Sequence, residues 1–280
     1  MTSRPADSEQ IPFEPSTDPD QPQLAGMALR NGVMALGPTS WAVAIRGADG
    51  EITTTARPRP RGGEGISTRV PLLRGPVRLA NMMRVLPQIR RSVPGARLAL
   101  ESPGLIAATV ASSIAAARLR RGIASPMLGE LVGSASSLAL TMASMRSGDV
   151  ARYHGAEHKA VAGYEQGIAA ADASRVHPRC GTQLAIPLLV FSSLATQAAL
   201  AVAPRNPKTA RAVGQVIGVA VATEFFRAAS RGKGTALGRA AARAGEAIQL
   251  HATTAEPTRE QLDVAEAAVE AVLAAERSRA

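Results

Sequence analysis

Residues 181–204 run for 24 positions without a charged side chain, and this run limits the folds open to the chain more than any other feature. At about 1.5 Å per residue, a helix of that length reaches across the roughly 30 Å hydrocarbon layer of a bilayer. Three weaker segments accompany it. Ser102 to Ala117 has 16 uncharged residues, Gly122 to Met145 has 24 with only Glu130 charged, and Ala212 to Phe226 has 15 with Glu224 near its end. All are rich in Ala, Gly, Ser and Thr, which suits close helix packing in a membrane but also fits a buried helix of a soluble bundle. Aromatic residues make up only 2% of the chain, too few to fill an ordinary large core. The expected fold class is mainly α, a multi-pass transmembrane helical bundle of four spans with a small N-terminal β-hairpin region.

The basic residues predict an orientation. With four spans, 69–97, 146–179 and 227–243 share one side and carry 7, 5 and 5 Lys and Arg, while each of the two opposite loops carries three. The positive-inside rule places the richer side in the cytoplasm, as expected of an inner-membrane protein. The net charge of +10 is spread along juxtamembrane stretches with almost no aromatic interleaving. Anionic membrane lipids are therefore the expected partners, and no nucleic-acid partner is expected.

Residues 1–23, with five acids and five prolines, read as a disordered tail without a signal or transit pattern. In the region 24–65, Trp41 to Arg46 and Glu51 to Thr55 flank Gly-Ala-Asp-Gly and predict a β-hairpin; Arg57 to Gly65 reads as a solvated basic loop. The region 66–100 holds an amphipathic interfacial helix over Pro76 to Arg91, kinked at Pro87. Membrane helices occupy 101–250, around a cytoplasmic loop at 146–180. In 251–280, Thr258 and Gln261 form a capping-box signal for a packing helix with Leu262, Ala265, Val269 and Leu273 on one face.

The 146–180 segment carries the chemistry. His154, His158, His177 and Cys180, three of the four histidines and the only cysteine, fall within 27 residues. If 151–165 is helical, His154 and His158 share one face and two imidazoles converge on one ion. His-Gly-Ala-Glu-His is the inverted form of the metalloprotease helix motif, with Glu157 as the general base. His177 and Cys180, around the turn-forming Pro178 and Gly181, are the nearest further donors. Three ligands leave a catalytic position open and four make a closed structural site. The expected cofactor is a divalent metal, most readily zinc. Glu224 is a further ligand candidate, 66 residues after His158, as inverted-motif proteases draw a ligand from a downstream glutamate; the competing reading pairs it with Arg227. Glu165 is a candidate that can equally face water, and Arg179 is a candidate contact for an anionic substrate or head group.

The chain resembles the YqhQ-like bacterial family, a domain of unknown function described as integral membrane proteins and predicted metal-dependent enzymes. The resemblance covers roughly 24–275. It rests on Gly32-Val-Met34 with Gly37-Pro38, Ala42 to Arg46, Pro71-Leu-Leu-Arg-Gly75, Tyr153 to Lys159, Tyr164-Glu165, His177 to Thr182, Glu224 with Arg227, Thr253-Thr254 and Glu256-Pro257. It implies a membrane protein with a metal site and no particular substrate. Where the family usually has a glutamate before Gly-Val-Met, this chain has Asn31, which can offer a neutral oxygen but cannot take a proton. The expected function is zinc-dependent hydrolysis of an amide, ester or phosphoester at the inner membrane, with bond and substrate left open and a membrane-associated peptide or lipid as a candidate substrate. The alternative is a non-enzymatic membrane scaffold or lipid-binding protein with a structural metal site. A third reading is a transporter using Glu130 and Glu224.

Overall fold

The computed structural model describes residues 13, 18, 20–60, 65, 69–98, 101, 103–123, 125–146, 149–231 and 235–279. Most of the tail expected over 1–23, and 61–64 of the expected basic loop, lie outside the described residues.

The expected hairpin is present as part of a larger sheet. Strands β1 (Ala25–Ala28), β2 (Gly32–Leu36), β3 (Ser40–Arg46) and β4 (Ile52–Pro58) form an antiparallel meander in chain order. β3 pairs with β4 from Ser40 opposite Pro58 to Arg46 opposite Ile52, across a turn in which Gly50 has φ of 86°. The expectation of a hairpin alone is corrected by β1 and β2. All five residues of β2 are buried, so its sequence lacks the polar alternation that marks a half-exposed strand.

The two faces of this sheet differ in side-chain size. Ala28, Val33, Ala35, Ala42 and Ala44 point to one face, and Leu29, Met34, Leu36, Trp41, Val43 and Ile45 point to the other. The small-residue face lets two helices approach closely. These are α4 (Val150–Gln166) and α8 (Arg259–Arg277), which meet it through Tyr153, Ala156, Ala160, Leu262, Ala265, Val269 and Val272. The large-residue face packs on Val85 and Ile89 of α1 (Arg74–Ser92) and on Val93 and Ala96 beyond it. α1 runs through Pro87 without ending, and Leu79 and Met83 on its other side stay exposed.

The helix α8 begins as its sequence predicts. The Thr258 side chain accepts from the Gln261 backbone, the Gln261 side chain accepts from the Thr258 backbone, and Leu262, Ala265 and Val269 are buried.

Between α1 and α8 lie α2 (Pro103–Gly122), α3 (Pro126–Arg146), α5 (Ala185–Val202), α6 (Pro207–Arg231) and α7 (Ala236–Ile248). Among the described residues, two helical segments are long and apolar enough to cross a membrane, Gly181–Val202 and Pro207–Ala229. Two of the four expected spans thus meet that test; Ile106–Leu119 in α2 is apolar but shorter, and α3 carries Glu130, which Arg211 of α6 holds at 3.1 Å. α5 and α6 form a tight hairpin because Gly214 and Gly218 sit against the backbone of Thr196 and Ser192, where a Cβ has no room. This is a small-xxx-small contact of the kind that brings helix backbones together.

The candidate metal centre

α4 is the central helix of the site, and fourteen of its seventeen residues are buried. It ends at Gly167, whose φ of 67° suits glycine. It accepts neighbours closely because of its glycines: at Gly155 the carbonyl of Ala255 occupies the space a Cβ would need. The Ala255 N–H donates to the Ala151 carbonyl at 2.8 Å, which ties the 249–256 segment along the helix.

His154 and His158 lie one turn apart, with ring centroids 4.4 Å from each other. Nδ1 of His154 lies 2.8 Å from the Thr253 carbonyl, and Nδ1 of His158 lies 2.7 Å from the Arg175 carbonyl. A carbonyl only accepts, so each Nδ1 carries the proton and each Nε2 carries a bare lone pair. Burial holds both imidazoles below their usual range; the Thr253 bond partly offsets this for His154, and the neighbouring histidines deepen it for His158. Both rings are therefore neutral at neutral pH and suited to a cation.

Cys180 completes the group. One ligand atom each from His154, His158 and Cys180 lies within 4.8 Å of the others, and all three side chains are buried. Sγ of Cys180 stands 3.5 Å from Nε2 of His154. Metal–nitrogen and metal–sulfur bonds of zinc length imply an N to S edge of about 3.6 Å in a tetrahedral site, so the spacing fits. Burial raises the Cys180 thiol to about 11, with bonds to Thr182 pulling the other way and the Glu157 charge adding to the rise.

Glu157 borders the donors. Its Oε2 is 3.6 Å from Nε2 of His158, and the residue is 6% exposed. Burial raises its carboxyl to about 8, and the charge of Glu165 adds to the shift. The carboxyl packs on Gly26 of β1, where a Cβ would collide with it. The N-terminal sheet therefore sets the position of the glutamate.

The structure separates His177 from this donor set. Its Nδ1 accepts from the Arg179 N–H at 3.3 Å, which leaves the proton on Nε2, and Nε2 faces Oε2 of Glu165 at 3.5 Å. Glu165 also binds the Arg179 guanidinium. Burial pushes Glu165 up, but its bonds to His177 and Arg179 outweigh that and hold it below the usual range. Glu165, His177 and Arg179 thus form one polar brace that fixes the loop bearing Cys180, and Phe13 meets the His177 ring edge-on with centroids 4.6 Å apart.

Glu224 and Asn31 lie elsewhere. Glu224 pairs with Arg74 at 3.1 Å and accepts from the Leu72 N–H, so its ion pair is with Arg74, which sequence reasoning did not name; the expected pairing was with Arg227. Leu72 has φ of 68°, and Gly75 abuts Thr223, so the 71–75 segment docks closely on α6. The Asn31 amide donates to the Gly95 carbonyl and its oxygen accepts from the Arg97 N–H, which braces the β1–β2 turn.

Sequence reasoning missed the residues that orient the donors. Lys159, 2% exposed, pairs with Glu256 at 2.9 Å. Arg175 reaches the Thr254 carbonyl and hydroxyl, and Gln249 bonds both backbone groups of His177. The available signal was the block Thr253-Thr254 with Glu256-Pro257, which meets the helix motif directly.

A family model described as a protein of unknown function, DUF1385, matches residues 134–275, half of the chain. The chain belongs to this family. No curated protein and no solved structure matches it. The DUF1385 match runs from within α3 into α8 and takes in all three candidate donors and Glu157, whereas the sheet and its Gly26 lie outside it.

Proposed function

We propose that this DUF1385 protein is a zinc-dependent hydrolase of the inner membrane, with His154, His158 and Cys180 as ligands and Glu157 as general base. One observation carries the reading: a buried carboxyl, with Oε2 3.6 Å from Nε2 of His158, borders a preorganised donor set of two imidazoles and a thiol. Nitrogen and sulfur donors favour zinc over magnesium or calcium. When bound, zinc supplies Lewis-acid polarisation of a carbonyl or phosphoryl oxygen and makes water more acidic. The chain's own residues do the rest. Glu157 takes the proton of the attacking water and returns it to the leaving group. Gly26 gives the carboxyl room, the Thr253 and Arg175 carbonyls fix both imidazoles, and the Glu165, His177 and Arg179 brace holds Cys180 in place.

Exposed apolar surface supports the membrane location. Ile186, Val190 and Leu194 of α5 and Val213, Val216 and Ile217 of α6 are all more than a third exposed. Such a contiguous apolar surface needs a partner, and for helices of this length lipid is the partner that fits. The resemblance to YqhQ-like membrane proteins and the distribution of Lys and Arg support a multi-pass topology with the metal site on the cytoplasmic side.

The burial of every donor also favours a second reading, a structural zinc site in a membrane scaffold. Glu157→Gln separates the two. In a hydrolase it keeps zinc and fold but lowers turnover of an ester or peptide substrate library by at least about 100-fold; in a scaffold it changes neither metal content nor any cleavage above background.

A further inference from the structure

Next to the metal centre, helices α5, α6 and α7 enclose a cavity of about 290 Å³. Its lining is almost wholly apolar, with Pro187, Phe191, Phe225, Ala244 and Ile248 among its walls and Gln183 as its one polar side chain. An apolar cavity of roughly 150 Å³ already takes a benzene ring, so this one has room for a longer hydrocarbon. Ile186 and Val190 both line the cavity and are exposed, at 46% and 39%, so it is continuous with the outer apolar face of α5.

One wall of the cavity is tied to the loop that carries Cys180, although none of the donors lines the cavity. The Gln183 N–H donates to the Cys180 carbonyl at 3.1 Å, and its side-chain amide donates to the His177 carbonyl at 3.2 Å. Ile248 precedes Gln249, whose side chain holds both backbone groups of His177. On α7, Ala240, Ala241 and Ala244 contribute to the lining, while Arg239 and Arg243 are exposed. A helix with an apolar face inward and exposed arginines is the form that lies at a membrane surface and attracts anionic head groups.

We propose that this cavity takes one acyl chain of an anionic membrane phospholipid, and that such lipids are the substrate class of the neighbouring metal site. The binding half stands on the cavity alone; the substrate half rests on the hydrolase reading. The lateral opening matches entry from the hydrocarbon layer, the lining matches the chain, the arginines match the head group, and Gln183 joins the cavity wall to the loop that carries Cys180.

The test uses the full chain reconstituted in phosphatidylcholine vesicles containing a phosphatidylglycerol with a diazirine on one acyl chain. Photolabel is expected on α5, α6 and α7 at cavity-lining positions. Ala244→Phe and Ala241→Phe fill the cavity from different points, and each is expected to cut labelling at least tenfold with zinc content and melting unchanged. A label spread over Leu194 and Val213 and indifferent to both substitutions overturns the acyl site, and equal labelling by a phosphatidylcholine probe overturns the anionic head group. Wild type that takes up no zinc on reconstitution yet labels in the cavity refutes the metal reading alone, and zinc-loaded protein without cavity label refutes the acyl site alone.

Discussion

The sheet with α4 and α8 and the hairpin of α5 and α6 use the same small residues to opposite ends. In the first, Ala35, Ala42, Ala44, Ala156 and Ala265 bring helices onto a strand surface, and the large side chains Trp41, Met34, Ile89 and Val272 are fully buried. In the second, Gly214 and Gly218 bring two helix backbones together, and the large side chains Ile186, Leu194, Val202 and Val216 are left outside. Burial of large apolar groups from water stabilises the first unit by itself. The second leaves its large apolar groups outside and relies on backbone contact between its helices. The polar groups follow the same division. Around α4 the buried His154, His158 and Lys159 each have a specific partner, whereas the acids of α3 and α6 are neutralised by Arg211 and Arg74.

Substitutions at the two packing centres sharpen this contrast. Trp41→Ala empties the largest fully buried site of the sheet unit and is expected to cost about 3 to 5 kcal/mol in denaturant unfolding, whether the protein is in detergent or in vesicles. Gly218→Leu forces a side chain against the Ser192 backbone, and a loss of about 1 to 3 kcal/mol is expected, confined to the hairpin and seen as increased hydrogen exchange in α5 and α6. Equal loosening of both units by either change would contradict their separate origins of stability.

The chemistry of the site gives a smaller, pH-linked effect. Burial raises the Cys180 thiol to about 11, so it is protonated at neutral pH, while an ion binds the thiolate. Each binding event therefore sheds the Cys180 proton and, below about pH 8, favours loss of the Glu157 proton as well. The two histidines, already held neutral, shed none. Zinc affinity is expected to rise at least about tenfold per pH unit between pH 6.5 and 8.5, measured by competition with a chelator; an affinity flat in pH would remove Cys180 from the ligand set. Thr258→Ala, which removes the capping box of α8, is expected to cost about 1 kcal/mol.

Local features of the sequence were the legible ones. His154, Glu157 and His158 fall on adjacent turns of one helix, Cys180 follows in a short loop, and the hairpin and capping box are signalled within a few residues. What the sequence did not reveal depends on distant partners. The carbonyl that fixes His154 comes from Thr253, and the space for Glu157 comes from Gly26, on a four-residue strand whose Ala-Gly-Met-Ala carries little strand preference. That Cys180 rather than His177 lies within 4.8 Å of both helix histidines depends on how the 175–180 loop packs against α4, which no spacing rule contains. Glu224 took its partner from Arg74 rather than from the expected Arg227 because the 71–75 segment docks on α6.

The most direct measurement is metal content per chain, by elemental analysis of detergent-purified protein reconstituted with zinc, for wild type and four single variants. The expected result is about one zinc in wild type and in His177→Ala, and a loss of most of it in His154→Ala, His158→Ala and Cys180→Ala. Wild type without zinc, or loss in His177→Ala with retention in Cys180→Ala, would contradict a centre built from two helix histidines and the loop cysteine.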